Sequence, residues 1–199
     1  MRHAIFYVLV CLLSIAPAWA GDVAQLHLQL SSLQTLQASF EQEVYDEEGA
    51  LLQQSRGELA VERPNKLRWE SREPFHYLLV SDGETLWRYD ADLEQLNTEA
   101  FSPELAQTPA LIIGASIAEL ESRFEVAMSK QGAQRDFTLT PRHPEMFTEM
   151  TLRFHKGKLV GMGMLDNLAQ RTEIRLISPR YNRPIAADRF RFSAADHAQ

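Results

Sequence analysis

Cysteine is almost absent: the chain of 199 residues has one, Cys11, inside an apolar run near the N-terminus. Val10 precedes it where a lipid-attachment site requires a small residue, so Cys11 is not read as a lipid anchor. Without a second cysteine there is no disulfide framework, no thiolate metal site and no cysteine nucleophile after residue 11. Long hydrophobic runs are also lacking. The only candidate, Ala4 to Ile15, is shorter than the roughly 20 residues that a bilayer-spanning helix needs. It follows the basic start Met1-Arg2-His3 and precedes Ala18-Trp19-Ala20, a small-x-small triplet, which together read as a secretory signal peptide over residues 1–20 with Gly21 as the mature N-terminus. Basic stripes are missing as well. The net charge is −7, and becomes −8 once Arg2 leaves with the signal peptide. An acidic chain without Lys/Arg clusters is a poor partner for nucleic acid.

Catalytic and metal-binding patterns are equally scarce. His27, His76, His143, His155 and His197 form no His-x-His pair and no i, i+4 pair, so no metal site is expected. Asp46-Glu47-Glu48-Gly49 lacks the alternating oxygen ligands and the distal Glu of a calcium loop and reads as a solvated turn. Gly161-Met162-Gly163 sits at no strand-to-helix junction, and no Gly-x-Ser-x-Gly elbow occurs. No enzyme and no cofactor is expected. A triad assembled from distant residues is the one catalytic alternative that sequence order leaves open.

What is present is a short helical pattern followed by many strands. Val23, Leu26, Leu30 and Leu33 recur at three- and four-residue steps and predict one amphipathic helix over Asp22 to Thr35. The period then changes to two: Ala38, Phe40, Gln42 and Val44 alternate with their neighbours, and Leu51 to Val61 completes a long hairpin. Asp82-Gly83 between two β-rich runs is a strong hairpin signal. Thr108-Pro109 reads as an N-cap and first-turn proline opening an apolar turn, Leu111-Ile112-Ile113. Further strands are expected near Phe124, Phe137, Thr148–Phe154, Leu159–Leu165, Gln170–Ile177 and Arg189–Phe192. Nine or more antiparallel strands in one domain favour a strongly curved sheet approaching a barrel, which makes residues 21–199 a single, mainly β domain.

Two segments carry a family likeness: Gly57-Glu58-Leu59-Ala60-Val61-Glu62-Arg63-Pro64-Asn65-Lys66-Leu67-Arg68-Trp69 and Leu79-Val80-Ser81-Asp82-Gly83-Glu84-Thr85-Leu86-Trp87-Arg88-Tyr89-Asp90. With Leu93-Glu94-Gln95, Phe137-Thr138-Leu139-Thr140-Pro141 and Phe190-Arg191-Phe192 in order behind them, the chain resembles the LolA family of periplasmic outer-membrane lipoprotein carriers. The resemblance implies an unclosed antiparallel β-barrel under a lid of short helices, with an apolar cleft between them. It implies a periplasmic monomer that takes acylated lipoproteins from an inner-membrane ABC transporter and passes them to an outer-membrane receptor, catalysing nothing. A carrier of another amphiphile, a glycolipid or a free acyl chain, is the alternative.

By the same resemblance Arg63 is the lid switch, binding lid backbone when the lid is shut. Phe40, Leu59, Val61, Leu67, Trp69, Leu78, Val80, Trp87 and Tyr89 are the cleft-lining candidates, and Leu26, Leu30, Leu33, Leu111, Ile112 and Ile113 the lid. Trp87 and Tyr89 share a face, but alternation does not say which face is concave. Lys66 and Arg68 give the Arg-Pro loop a basic character suited to an acidic partner. Family members continue past Phe-x-Phe in a Pro- and Gly-containing tail, whereas this chain stops at Ser193-Ala194-Ala195-Asp196-His197-Ala198-Gln199.

Overall fold

A computed structural model of the chain describes residues 19–101, 112–113, 116–143, 147–193 and 196. The expected leader falls outside them except for the backbone of Trp19 and Ala20, which opens helix α1, Trp19–Ser31. The apolar stripe forms as the spacing predicts, with Val23, Leu26 and Leu30 buried. The helix ends earlier than Thr35. Ser31 and Ser32 hydroxyls donate to the carbonyls of Leu28 and Gln29, and the Leu33 N–H donates to the Leu30 carbonyl, using up the last-turn acceptors. Asn182 then secures the exit: its Oδ1 accepts from the N–H groups of Gln34 (2.8 Å) and Thr35 (3.4 Å), and its Nδ2 donates to the Ser32 carbonyl (2.9 Å). Asn182 also sits at φ +54°, a region that asparagine tolerates better than alanine. Asn182→Ala should therefore cost about 2 kcal/mol, read as a lower urea midpoint with an unchanged m-value.

The strands are β1 Thr35–Tyr45, β2 Leu51–Glu62, β3 Lys66–Glu73, β4 Tyr77–Asp82, β5 Thr85–Asp90, β6 Gln95–Ala100, β7 Phe124–Gln131, β8 Gln134–Pro141, β9 Phe147–His155, β10 Lys158–Asp166 and β11 Arg171–Tyr181. A second helix, α2 Ile117–Arg123, precedes β7 and starts with a capping box between Ser116 and Glu119. Among the described residues eleven strands form one antiparallel sheet in the order β6-β5-β4-β3-β2-β1-β11-β10-β9-β8-β7. Its two edges, β6 and β7, do not pair with each other, so the curved sheet stays unclosed as expected. The β1–β11 pairing joins the two halves.

Alternation sets the faces. Leu36, Ala38 and Phe40 on β1 stand opposite Val61, Leu59 and Gly57 on β2, and Leu59 in turn stands opposite Trp69 on β3. Directly opposed residues share a face, so these side chains form the inner surface, continued by Phe137, Leu139, Met150, Leu152, Met162, Ile174 and Leu176. Gly57 has a steric reason to be glycine. A Cβ there would lie 1.9 Å from the Glu70 carbonyl oxygen and 2.7 Å from the Phe40 ring, which crosses β2 to meet Trp69 at 4.1 Å.

One expected strand is absent. Arg189–Phe192 falls in a 3₁₀ turn, Ala187–Phe190, lying on the outer face of β3 and β4. Both of those strands already have two ladder partners, so a segment crossing them can bind only through side chains.

Candidate functional site

The inner face is the candidate site. Phe40, Leu59, Val61 and Leu67 are buried on it, with Trp69 half-buried beside them. Above them lie Leu26, Leu30 and Leu33 from α1 and its exit, together with Ile112 and Ile113, all in one continuous apolar cluster. Leu26, Leu30 and Ile113 have no exposed surface at all. The helix and the turn thus fill the concavity of the sheet, which is a shut arrangement. Leu111 and the Thr108-Pro109 helix start lie outside the described residues.

Four expected lining residues are elsewhere. Leu78, Val80, Trp87 and Tyr89 lie on the outer face, packed against Ala91 and Phe192, with the Tyr89 and Phe192 rings 5.2 Å apart. Register is the reason: Val80 stands opposite Arg68 and Trp87, and Leu78 opposite Glu70 and Tyr89, whereas Leu79 stands opposite Trp69. Leu79 and Leu86 therefore line the inner face in their place. The run Leu78-Leu79-Val80 is apolar on both faces, so period-two reasoning had nothing to separate them. Ser81 is an inner-face polar group, and its hydroxyl accepts from the Gly83 N–H.

Arg63 occupies the β2–β3 connection. Its Nη1 donates to the Ile113 carbonyl at 2.7 Å, and its backbone N–H donates to the Gln34 carbonyl at 3.0 Å. Burial pushes the guanidinium pKa down, opposed by the negative charge of Glu119 at the start of α2. Glu119 in turn is held below the usual carboxylate range by its bonds to the Ser116 backbone and hydroxyl. A guanidinium stays charged under such pressure, so Arg63 brings a permanent cation to the junction of lid turn, helix α2 and sheet. A charged donor on a carbonyl is worth about 1.5–3 kcal/mol.

Arg68 departs from expectation. It is buried on the outer face, bonded to Glu70 at 3.1 Å and to Asp196 at 2.5 Å, so it does not make the Arg-Pro loop basic. Asp196 also accepts from the N–H and hydroxyl of Ser193. The short tail thereby reaches back to the sheet with a buried carboxylate, a contact 128 residues apart in sequence that no local pattern announces. Glu70 adds Arg72 at 2.8 Å. Among the described residues no group of three or more His, Cys, Asp or Glu side chains is placed to hold a metal.

The arrangement can shelter apolar chains by displacing its own cover, and comparison with known proteins points the same way. The sequence profile of the family described as outer membrane lipoprotein carrier protein LolA matches residues 31–193. An outer-membrane lipoprotein carrier protein of Pseudomonas syringae is 36% identical over 182 residues, covering 90% of this chain and 88% of the relative. That of Azotobacter vinelandii is 33% identical over 186 residues, covering 92% and 90%. Among solved structures, a DUF1329 family protein from Desulfovibrio piger superposes with TM-score 0.53 at 12% identity over 89% of this chain and 98% of its own, a likeness of fold alone.

Proposed function

The chain belongs to the LolA family of outer-membrane lipoprotein carrier proteins, and from that premise we propose that its inner face is the acyl-chain cleft, with α1 and the Ile112–Ile113 turn as lid and Arg63 as the lid switch. Its function is to carry lipid-modified proteins. In this reading residues 1–20 are removed on export, residues 21–199 act as one carrier domain in the periplasm, an inner-membrane ABC transporter loads it, and an outer-membrane receptor unloads it. No bond of the cargo is made or broken.

The observation that carries the reading is the lid's own apolarity. Leu26, Leu30, Leu33, Ile112 and Ile113 are all buried against the sheet, and each contributes about 1.5–3 kcal/mol by leaving water. Opening the lid therefore costs on the order of 10 kcal/mol. An acyl chain returns about 0.8 kcal/mol per buried methylene, so roughly a dozen methylenes offset it. The two states are then close enough in energy for cargo to be accepted and later expelled. A rigid open cleft would hold its cargo too well, and a smaller lid would not drive it out.

Photo-crosslinking from Leu67 in whole cells tests the reading, because Leu67 lies under the lid. Adducts carrying acylated lipoprotein support it, and adducts carrying only free lipid or glycolipid point to a different amphiphile. Replacing Arg63 by Leu removes the charged tie to Ile113 and leaves the cleft intact. Arg63→Leu is expected to load normally but to hand lipoprotein to the receptor about tenfold more slowly. Transfer at the wild-type rate would remove Arg63 from the switch.

A further inference from the structure

Five polar or charged side chains are buried among the described residues: Ser55, Arg68, Glu70, Ser81 and Asp196. Four of them are satisfied. Arg68 joins Glu70 and Asp196 on the outer face, and the Ser81 hydroxyl accepts from the Gly83 N–H. Ser55 is the exception. It is 4% exposed, and its hydroxyl has no hydrogen-bond partner among the described residues. A hydroxyl taken out of water without a partner loses hydration that nothing in the folded chain returns. Register puts it on the inner face: Ser55 stands opposite Gln42, two positions along from Gly57 opposite Phe40, so Ser55 and Gln42 share the side of the Phe40 ring. The Gln42 carboxamide likewise has no hydrogen bond among the described residues.

These two polar groups stand where the inner face changes character. Directly opposed residues form rows across the sheet. Nearest the lid, Leu36, Val61 and Leu67 share one row, and Ala38, Leu59, Trp69 and Leu79 the next. The third row starts with Phe40 and Gly57 but continues as Ser71, Tyr77 and Asp90. Ser55 and Gln42 belong to the fourth. From Gln42 that row runs the other way through Ile174, Met162, Leu152 and Phe137, all buried in the apolar cluster. An unbroken apolar track thus ends at two polar side chains that the protein itself leaves uncommitted.

We propose that Ser55 and Gln42 form a polar subsite of the cleft and donate hydrogen bonds to the carbonyl oxygen of an acyl ester or amide, so that the cleft reads the linkage of a chain as well as its apolar length. The proposal rests on the carrier reading and deepens it. The donors select the ligand chemistry. A hydroxyl and a carboxamide are neutral donors suited to a neutral carbonyl. A phosphate would call for a cation, and the one cation that alternation places on the inner face of β1 to β6, Arg88, is ion-paired with Glu99. An acylated protein presents a carbonyl where each apolar chain begins. Seated at Ser55, that junction leaves the chain to follow the track toward Phe137. The hydroxyl lacks a partner in the shut, empty protein and gains one with cargo, so this contact favours the loaded state alone.

The test is a cycle between side chain and ligand. The mature protein and its Ser55→Ala variant are titrated with a synthetic diacylglyceryl-cysteine peptide and with its ether-linked analogue, which has the same chains and no ester carbonyls. The wild type is expected to bind the ester form about fivefold more tightly than the ether form, and Ser55→Ala to bind the two equally. Without ligand, Ser55→Ala should unfold at the wild-type temperature or slightly above it, because it removes a hydroxyl that has no partner. Equal binding of ester and ether forms by the wild type would overturn the proposal, as would an ester preference that survives in Ser55→Ala. So would a variant that is less stable when empty and weakened equally toward both ligands, since Ser55 would then serve packing. Phosphatidylglycerol with the same chains is expected to compete poorly, and competition equal to that of the ester peptide would overturn the assignment to a neutral linkage. If neither peptide binds the wild type, the carrier reading fails and this proposal with it, a result distinct from binding without preference.

Discussion

Arg68→Ala is expected to destabilise the protein by about 3–5 kcal/mol, because it leaves the buried Asp196 carboxylate without its cation and Glu70 with Arg72 as its one remaining guanidinium. Arg68, Glu70 and Asp196 are each at most 6% exposed, and Arg68 touches both acids. In a chain of this size that is a fall of roughly 10 °C in the thermal midpoint. The pH dependence distinguishes this cause from lost packing. Burial pushes the Glu70 and Asp196 carboxyls up, but the arginine bonds, with the Ser193 bonds to Asp196, outweigh it and hold both below the usual carboxylate range. A depressed carboxylate contributes stability that is present above its unfolded value of about 4 and is lost as pH falls through its folded value. Removing Arg68 therefore hurts most at neutral pH, and the gap between variant and wild type should narrow as acid neutralises the two carboxyls. A gap independent of pH between about 7 and 3 would show that the loss comes from packing instead. The triple replacement of Arg68, Glu70 and Asp196 by apolar residues of similar volume should recover most of the stability.

Gly57→Ala is expected to cost about 3 kcal/mol or more, because the first atom it meets is backbone. The added methyl would be 1.9 Å from the Glu70 carbonyl oxygen, so β2 and β3 would have to part, and the Phe40 ring would have to leave Trp69. Those are the strands that carry Leu59, Val61 and Leu67 under the lid. Lower stability should therefore come with altered Trp69 fluorescence in the folded state. A variant with wild-type stability and emission would contradict the close packing at this crossing.

Several features were legible without coordinates. The α1 stripe, the Asp82-Gly83 turn and the alternating strands follow from spacing, since a side chain's direction repeats every 3.6 residues in a helix and every two in a strand. Gly83 does take the left-handed φ of +98° that such a turn needs. Arg63 was found through a motif, and in the structure it reaches the Ile113 carbonyl. Leu78 and Val80 face outward although their run with Leu79 is apolar on both faces, and Trp87 and Tyr89, whose alternation leaves the concave face open, face outward with them through register. In sequence Arg68 reads as a loop cation, because the carboxylate that it meets lies at Asp196, beyond the reach of any local pattern.

By itself the sequence determined the acidic balance, the absence of cysteine chemistry, the helix-then-strands order and the residue types able to line an apolar cleft. Those properties depend on composition and on neighbours a few positions apart. Only the tertiary structure decided which face of β4 and β5 is inner, that Asp196 is held by the buried Arg68, and that Arg63 reaches the Ile113 carbonyl. Each of these depends on strand register and on contacts between distant segments, and register is settled by the joint packing of eleven strands, not by any one of them.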